Sequence, residues 1–185
     1  MATAGQWTDR DYTGHDFVDA DLSRLCTERV VFTECDFSGA NLAESQHRGS
    51  AFRNCTFRRT LLWHSTFAQC SMLGSVFEQC RMRPLTFDEV DFTLAVLGGN
   101  DFRGVDLSGC RLREASLVET DLRKAVLRGV DLSGARTTDA RLDEADLRGA
   151  TVDSTLWRSA SLAGAQVDVP QALAFAVAHG LRLDG

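Results

Sequence analysis

Apolar residues return along this chain every five positions. The positions ending in 2 or 7, from Tyr12 to Val167, number 32, and all but Thr27, His47 and Thr137 are apolar. Ten of the eleven phenylalanines lie on that beat. The period fits neither a helix, at roughly 3.6, nor a strand, at roughly 2. Fixed self-similarity instead marks a stacked repeat, in which each unit hides its apolar side chain only against its neighbours.

The flanking positions define the unit. Two residues before the beat the chain is small, as at Ala20, Cys35, Ala40, Ser50, Cys55, Ser75, Ala95, Cys110, Ala125 and Ala145. One before it is often Asp or Asn, as at Asp16, Asp36, Asn41, Asp101, Asp121 and Asp146, and two after it is often Gly, as at Gly39, Gly99, Gly134 and Gly149. A large and a small side chain two apart share one face, as extended backbone requires. A following glycine lets the chain turn a corner. Each pentapeptide therefore reads as one short extended side and one turn.

The motif A/C-D-L/F-x-G, repeated as AVLRG, VDLSG and ADLRG, resembles the pentapeptide-repeat family over roughly residues 7–169. The resemblance implies an all-β chain: a right-handed quadrilateral parallel β-helix with four pentapeptides per coil. Residues twenty apart should then stack. One inward column would read Phe17, Phe37, Phe57, Phe77, Leu97, Leu117, Thr137, Trp157, and another Leu22, Leu42, Leu62, Met82, Phe102, Leu122, Leu142, Leu162. Thirty-two units make eight coils, a filled rod roughly 38 Å long at a strand spacing of about 4.8 Å. The expected division is residues 1–169 as β-helix and 170–185 as a helical cap and dimerisation segment.

That cap follows from a change of pattern. Pro170 precedes the alanine-rich QALAFAVAHG, with Gly180 as a stop; proline suits the first helical turn and glycine the residue past the end. Leu173, Phe175, Val177, Leu181 and Leu183 would be its apolar residues. They can shield the last coil, as a solenoid end requires, or also join two copies. The resemblance implies the second, a homodimer through the C-terminal ends.

Composition removes several classes of function. No apolar run is long enough for a membrane span and no signal peptide is evident, so a cytoplasmic chain is expected. Five of the six cysteines occupy the small position, as compact hydrophobes. Only Cys35 and Cys55 would lie on adjacent coils, and cytosol would keep them reduced. His64 and Ser65 point to different sides, and His15 and His179 lack partners at ligand spacing. No catalytic residue, metal site or cofactor is expected.

Charge leaves a surface function. The net charge is −6, and residues 84–169 carry fifteen acids against ten bases, whereas residues 1–83 carry ten against nine. Asp88, Glu89, Glu114, Glu119, Asp139, Asp143 and Glu144 lie outside the repeat consensus; with Asp91 they form the candidate acidic surface. A narrow, rigid, acidic rod could occupy a cationic groove built for duplex DNA. Segments such as CDFSGANLAESQHRGSAFRNCTF and LWHSTFAQCSMLGSVF resemble the family's fluoroquinolone-resistance members. That implies a DNA mimic that binds and inhibits DNA gyrase and protects it from fluoroquinolones. Arg48, Arg53, Arg58 and Arg59 interrupt the acidic picture. The alternatives are a passive scaffold using Trp63, Leu73 and Leu94, or direct nucleic-acid binding, which the net charge disfavours.

Overall fold

In the computed structural model, which describes residues 5–182, each coil takes twenty residues and stacks in parallel on the next. Four sides result. Side three is a five-stranded sheet of Gln6–Thr8, Cys26–Glu28, Gln46–Arg48, Thr66–Ala68 and Thr86–Asp88. Side four pairs Asp11–Thr13, Val31–Thr33 and Ala51–Arg53, and side one pairs Thr56–Arg58 with Val76–Glu78. Elsewhere most coils touch the next through single parallel bridges, such as Asp21 to Asn41 on side two and Asp146 to Gln166 on side three; among the described residues none joins Arg81 to Asp101 on side two or Thr86 to Asp106 on side three. The twenty-residue register holds from the Gln6–Cys26 pair to the Asp146–Gln166 bridge.

The expected columns fill the interior. Phe37, Phe57, Phe77, Leu97 and Leu117 are buried on side one, and Leu42, Leu62, Met82, Phe102 and Leu122 on side two. Rings in one column lie flat on each other, with centroids 5.0 Å apart for Phe37–Phe57 and 4.6 Å for Phe57–Phe77. Rings of adjacent columns meet edge to face, as Phe32 and Phe37 do at 5.3 Å and 78°. Both arrangements are favoured by the ring quadrupole.

The corners come in two forms, and an Asp or Asn before the beat goes with one of them. There the side-chain oxygen accepts the N–H two residues on, as Asp16 does from Val18 at 2.8 Å and Asp131 from Ser133 at 2.9 Å. The next small residue donates to the central carbonyl, Ala20 to Phe17 at 3.1 Å and Ala135 to Leu132 at 3.0 Å. At other corners a buried side chain from the next coil accepts the small residue's N–H. Ser75 Oγ serves Cys55 at 2.9 Å and Asn100 Oδ1 serves Cys80 at 3.1 Å. Buried backbone donors are rarely left unpaired, which explains polar residues at inward positions.

The turn position is left-handed whether or not it is glycine, which corrects the reading of corners as glycine-dependent. Gly39 has φ +69°, but Glu119, Lys124, Asp139 and Glu144 have φ +58°, +60°, +56° and +58°. Non-glycine residues there cost roughly 1 kcal/mol each. Stacking of the coil holds them in place.

His47 is buried in the side-three column. Its Nδ1 lies 2.7 Å from Thr27 Oγ1 and its Nε2 2.9 Å from Ser45 Oγ, while Thr27 Oγ1 also meets Ser50 Oγ at 2.9 Å. Burial drives its pKa down to about 3, so the ring is neutral. All six cysteines are free. Burial pushes the Cys55 thiol up to about 12 and those of Cys70, Cys80 and Cys110 to about 11. Such thiols are poor nucleophiles.

Two helices close the C-terminal end. The short α1 (Leu156–Ser159) was not anticipated, because Trp157 keeps the beat and remains buried. Helix α2 (Val169–Ala178) carries Pro170 in its first turn as expected, with Asp168 as its cap. Gln171 N–H donates to Asp168 Oδ1 at 2.9 Å and Asp168 N–H to Gln171 Oε1 at 3.0 Å, a reciprocal capping box. The helix ends at His179, and Gly180 follows with φ +88°. Among the described residues, no helix is long and apolar enough to cross a membrane.

Candidate interaction surfaces

The candidate carboxylates do not share a face. Asp88 and Glu89 sit at the corner between sides three and four, with Asp91 just beyond it. Glu114 is at the next corner, Glu119 and Asp139 occupy successive coils of the corner between sides one and two, and Asp143 and Glu144 end side two. The acids therefore ring the C-terminal half as a belt. Only Asp88–Glu89–Asp91, Glu119–Asp139 and Asp143–Glu144 are brought together.

Their freedom differs. Asp91 accepts both N–H and Oγ1–H of Thr93, at 2.9 and 2.6 Å, and so builds its corner. Asp143, read from sequence as unattached, accepts Ser161 Oγ–H at 2.8 Å and Ala163 N–H at 2.9 Å, tying two coils together. Glu114 pairs with Arg113 at 3.3 Å, Glu144 with Lys124 at 3.5 Å, and Glu89 accepts from Gln69 at 3.3 Å. Asp88, Glu119 and Asp139 are exposed.

Sequence reading missed a basic stripe on side two. Arg83, Arg103 and Arg123 stand at one position of three successive coils, bracketing Asp101 and Asp121. Arg83 and Arg103 both reach Asp101, at 3.2 and 2.6 Å, and Arg123 reaches Asp121 at 2.6 Å. Arg103 and Arg141 approach Asp121 at 3.8 Å. Hydrogen bonding to Arg103 and Arg123 respectively holds Asp101 and Asp121 well below the usual carboxylate range. The twenty-residue spacing of the three arginines was the available signal.

At the C-terminal end Gln171 is buried, and its Nε2 donates to the carbonyls of Leu147 and Ala150 at 2.7 and 2.8 Å. It occupies carbonyls that another coil would have used. Phe175 rests edge-on against Trp157, with centroids 6.0 Å apart, and lies tilted by 31° over His179 at 4.1 Å. Leu173, Phe175, Val177 and Leu181 nevertheless stay 47%, 40%, 55% and 62% exposed. Leu183 lies outside the described residues.

These features belong to a known class. The chain matches the model for Pentapeptide repeats in eight copies, with matches over residues 16–46, 85–113, 91–129 and 100–139. It is 78% identical over 97% of its length to the Pentapeptide repeat protein MfpA of Mycobacterium tuberculosis, covering 98% of that protein. It is 67% identical to the MfpA of Mycolicibacterium smegmatis, over 97% of this chain and 94% of that one. The chain belongs to the pentapeptide-repeat family and closely resembles MfpA. Among solved structures, full-length QnrB1, a plasmid-mediated fluoroquinolone resistance protein, superposes with a TM-score of 0.63 at 18% identity, covering 96% of this chain and 100% of that one. That likeness extends the fold beyond the range of sequence similarity.

Proposed function

We propose that this protein is a DNA mimic that binds and inhibits DNA gyrase and thereby protects it from fluoroquinolones, acting in the cytoplasm as a homodimer and without catalysis. The 78% identity to MfpA carries the reading, together with the fluoroquinolone resistance named for QnrB1. The belt of carboxylates supports it physically. Negative charge around a rigid rod, rather than along one face, resembles a duplex to a cationic groove. Exposed Leu173, Val177 and Leu181 beside the Gln171 closure support joining two copies end to end.

Supercoiling by gyrase with and without this protein tests the reading directly. Inhibition is expected, weakening as salt rises because opposed charges are screened. Asp88→Lys with Glu89→Lys should weaken inhibition without unfolding, since basic residues already occupy left-handed corners at Arg29 and Lys124. Unimpaired supercoiling at saturating protein would refute gyrase inhibition. For the dimer, Leu173→Asp with Val177→Asp should give monomers in sedimentation while leaving Phe175 on Trp157.

A further inference from the structure

Side two runs against the charge of the rest of the rod. We propose that its stretch from Trp63 to Arg123 is a docking surface for an acidic amphipathic helix of a partner protein, bordered by the acidic belt at Glu144. An apolar side chain would rest on Trp63, and carboxylates on successive turns would meet Arg83, Arg103 and Arg123.

Charge is the first argument. Arg81, Arg83, Arg103, Arg123, Lys124 and Arg141 share this stretch with only Asp101, Asp121, Asp143 and Glu144. Two of those carboxylates are divided among four arginines, since Asp101 and Asp121 serve Arg83, Arg103, Arg123 and Arg141. Local positive charge therefore survives on a chain whose net charge is −6.

Composition and shape add to this. Trp63 is 39% exposed one coil before Arg83 at the same position of the side, and the side chains of Arg83, Arg103 and Arg123 are 41%, 48% and 32% exposed. Tryptophan and arginine are, with tyrosine, the residues enriched in binding hot spots. Beside them lies a shallow depression of about 370 Å³, lined by Arg83, Arg103, Gly104, Arg123, Lys124 and Glu144. Gly104 opens it, for nothing lies within 4 Å of where its Cβ would stand.

The spacing selects a helix. Rungs rise about 4.8 Å per coil and a helix about 5.4 Å per turn, so carboxylates at i, i+4 and i+7 keep step with three arginines. Trp63 to Arg123 spans about 14 Å, or roughly ten helical residues. Duplex DNA fits less well. Exposed Trp63 at the end of the arginine row is matched by an apolar side chain of a helix, whereas a phosphate backbone offers it no apolar partner.

The test uses the full-length protein and a labelled helical peptide of about twelve residues, with leucine near one end and glutamate on three successive turns. Fluorescence anisotropy at low salt should show saturable binding. Arg83→Gln combined with Arg123→Gln should weaken it about tenfold or more, as should Trp63→Ala. Gly104→Asn should weaken it by filling the notch with a residue that accepts the left-handed conformation. Should a protein variant fail to fold, replacing each peptide glutamate with glutamine carries the same test, with stepwise loss expected. Absence of saturation, equal binding by folded variants or by the neutral peptide, or tighter binding of a short duplex DNA would overturn the proposal.

Discussion

The coils from Gln6 to Asp88 and those from Asp91 to Gln166 obey one repeat but hold it together differently. Among the described residues, the first stretch contains every three-residue strand, and flat stacks of phenylalanine fill it. Ring separations of 4.6 to 5.0 Å match the coil rise of about 4.8 Å, so stacking and backbone pairing reinforce each other. Buried Thr27, Ser45, His47, Ser50 and Ser75 complete its hydrogen bonds. The second stretch relies on leucine and alanine columns, single bridges and corners tied by Asp101, Asp106, Asp121, Asp131 and Asp146, a device the first stretch uses only at Asp16, Asp21, Asp36 and Asn41 in its first two coils. A five-residue beat fixes what points inward. It leaves open whether the corner is satisfied from inside, by a buried hydroxyl or amide, or outside, by a carboxylate.

That difference also bears on function. Carboxylates that tie corners add negative charge to the second half, so structure and acidity come from the same residues. Asp88, Glu119 and Asp139 add charge without that duty.

The comparison can be broken most sharply in the aromatic column. Phe57→Ala should cost about 3–5 kcal/mol and Leu127→Ala about 2–4 kcal/mol, measured by urea unfolding. Equal losses would show that ring stacking adds nothing beyond volume. Acid should act next, and on the first half. Below a pH of about 6.5 the unfolded chain takes up a proton that buried His47, with its pKa near 3, refuses. Stability should therefore fall by about 2 kcal/mol between pH 7 and pH 5, and His47→Phe should flatten that slope. The depressed carboxylates Asp101 and Asp131 stabilise above their ordinary range near 3.8 and lose that contribution only below it. They cannot mimic the histidine in this window, so an unchanged slope in the variant would remove His47 as its source.

At the far end, Gln171→Ala leaves the Leu147 and Ala150 carbonyls without their donor. A loss of about 2 kcal/mol is expected, seen as early thermal unfolding; full stability would place the closure elsewhere. Asp131→Ala should cost about 1 kcal/mol through its Ser133 bond. Smallest of all, Glu119→Gln with Asp139→Gln should change stability by less than about 0.5 kcal/mol yet relieve the proposed gyrase inhibition. Intact inhibition would exclude that corner from the contact.

Much of this rod is legible in the amino-acid sequence. The beat named the buried side chains of the middle coils one by one, while Tyr12, Phe17, Leu22 and Leu162 near the ends are half-buried, and Pro170 and Gly180 marked the helix that follows the last coil. The small column explained the cysteines. Other features depended on neighbours twenty residues away. Asp143 looks free in sequence but binds Ser161 and Ala163 in the next coil. The arginines of side two look ordinary until stacking puts them in one line. Helix α1 was hidden because Trp157 satisfies the repeat and buries itself even where the backbone coils.

What the sequence determined by itself is the inside. A period is a local property, and a side chain's direction follows from its place in a five-residue unit. The tertiary structure alone decided the outside, because which charges meet depends on coil stacking, and Coulomb interactions depend on distance in space rather than along the chain. Through that stacking the acids became a belt, and Arg83, Arg103 and Arg123 became a surface.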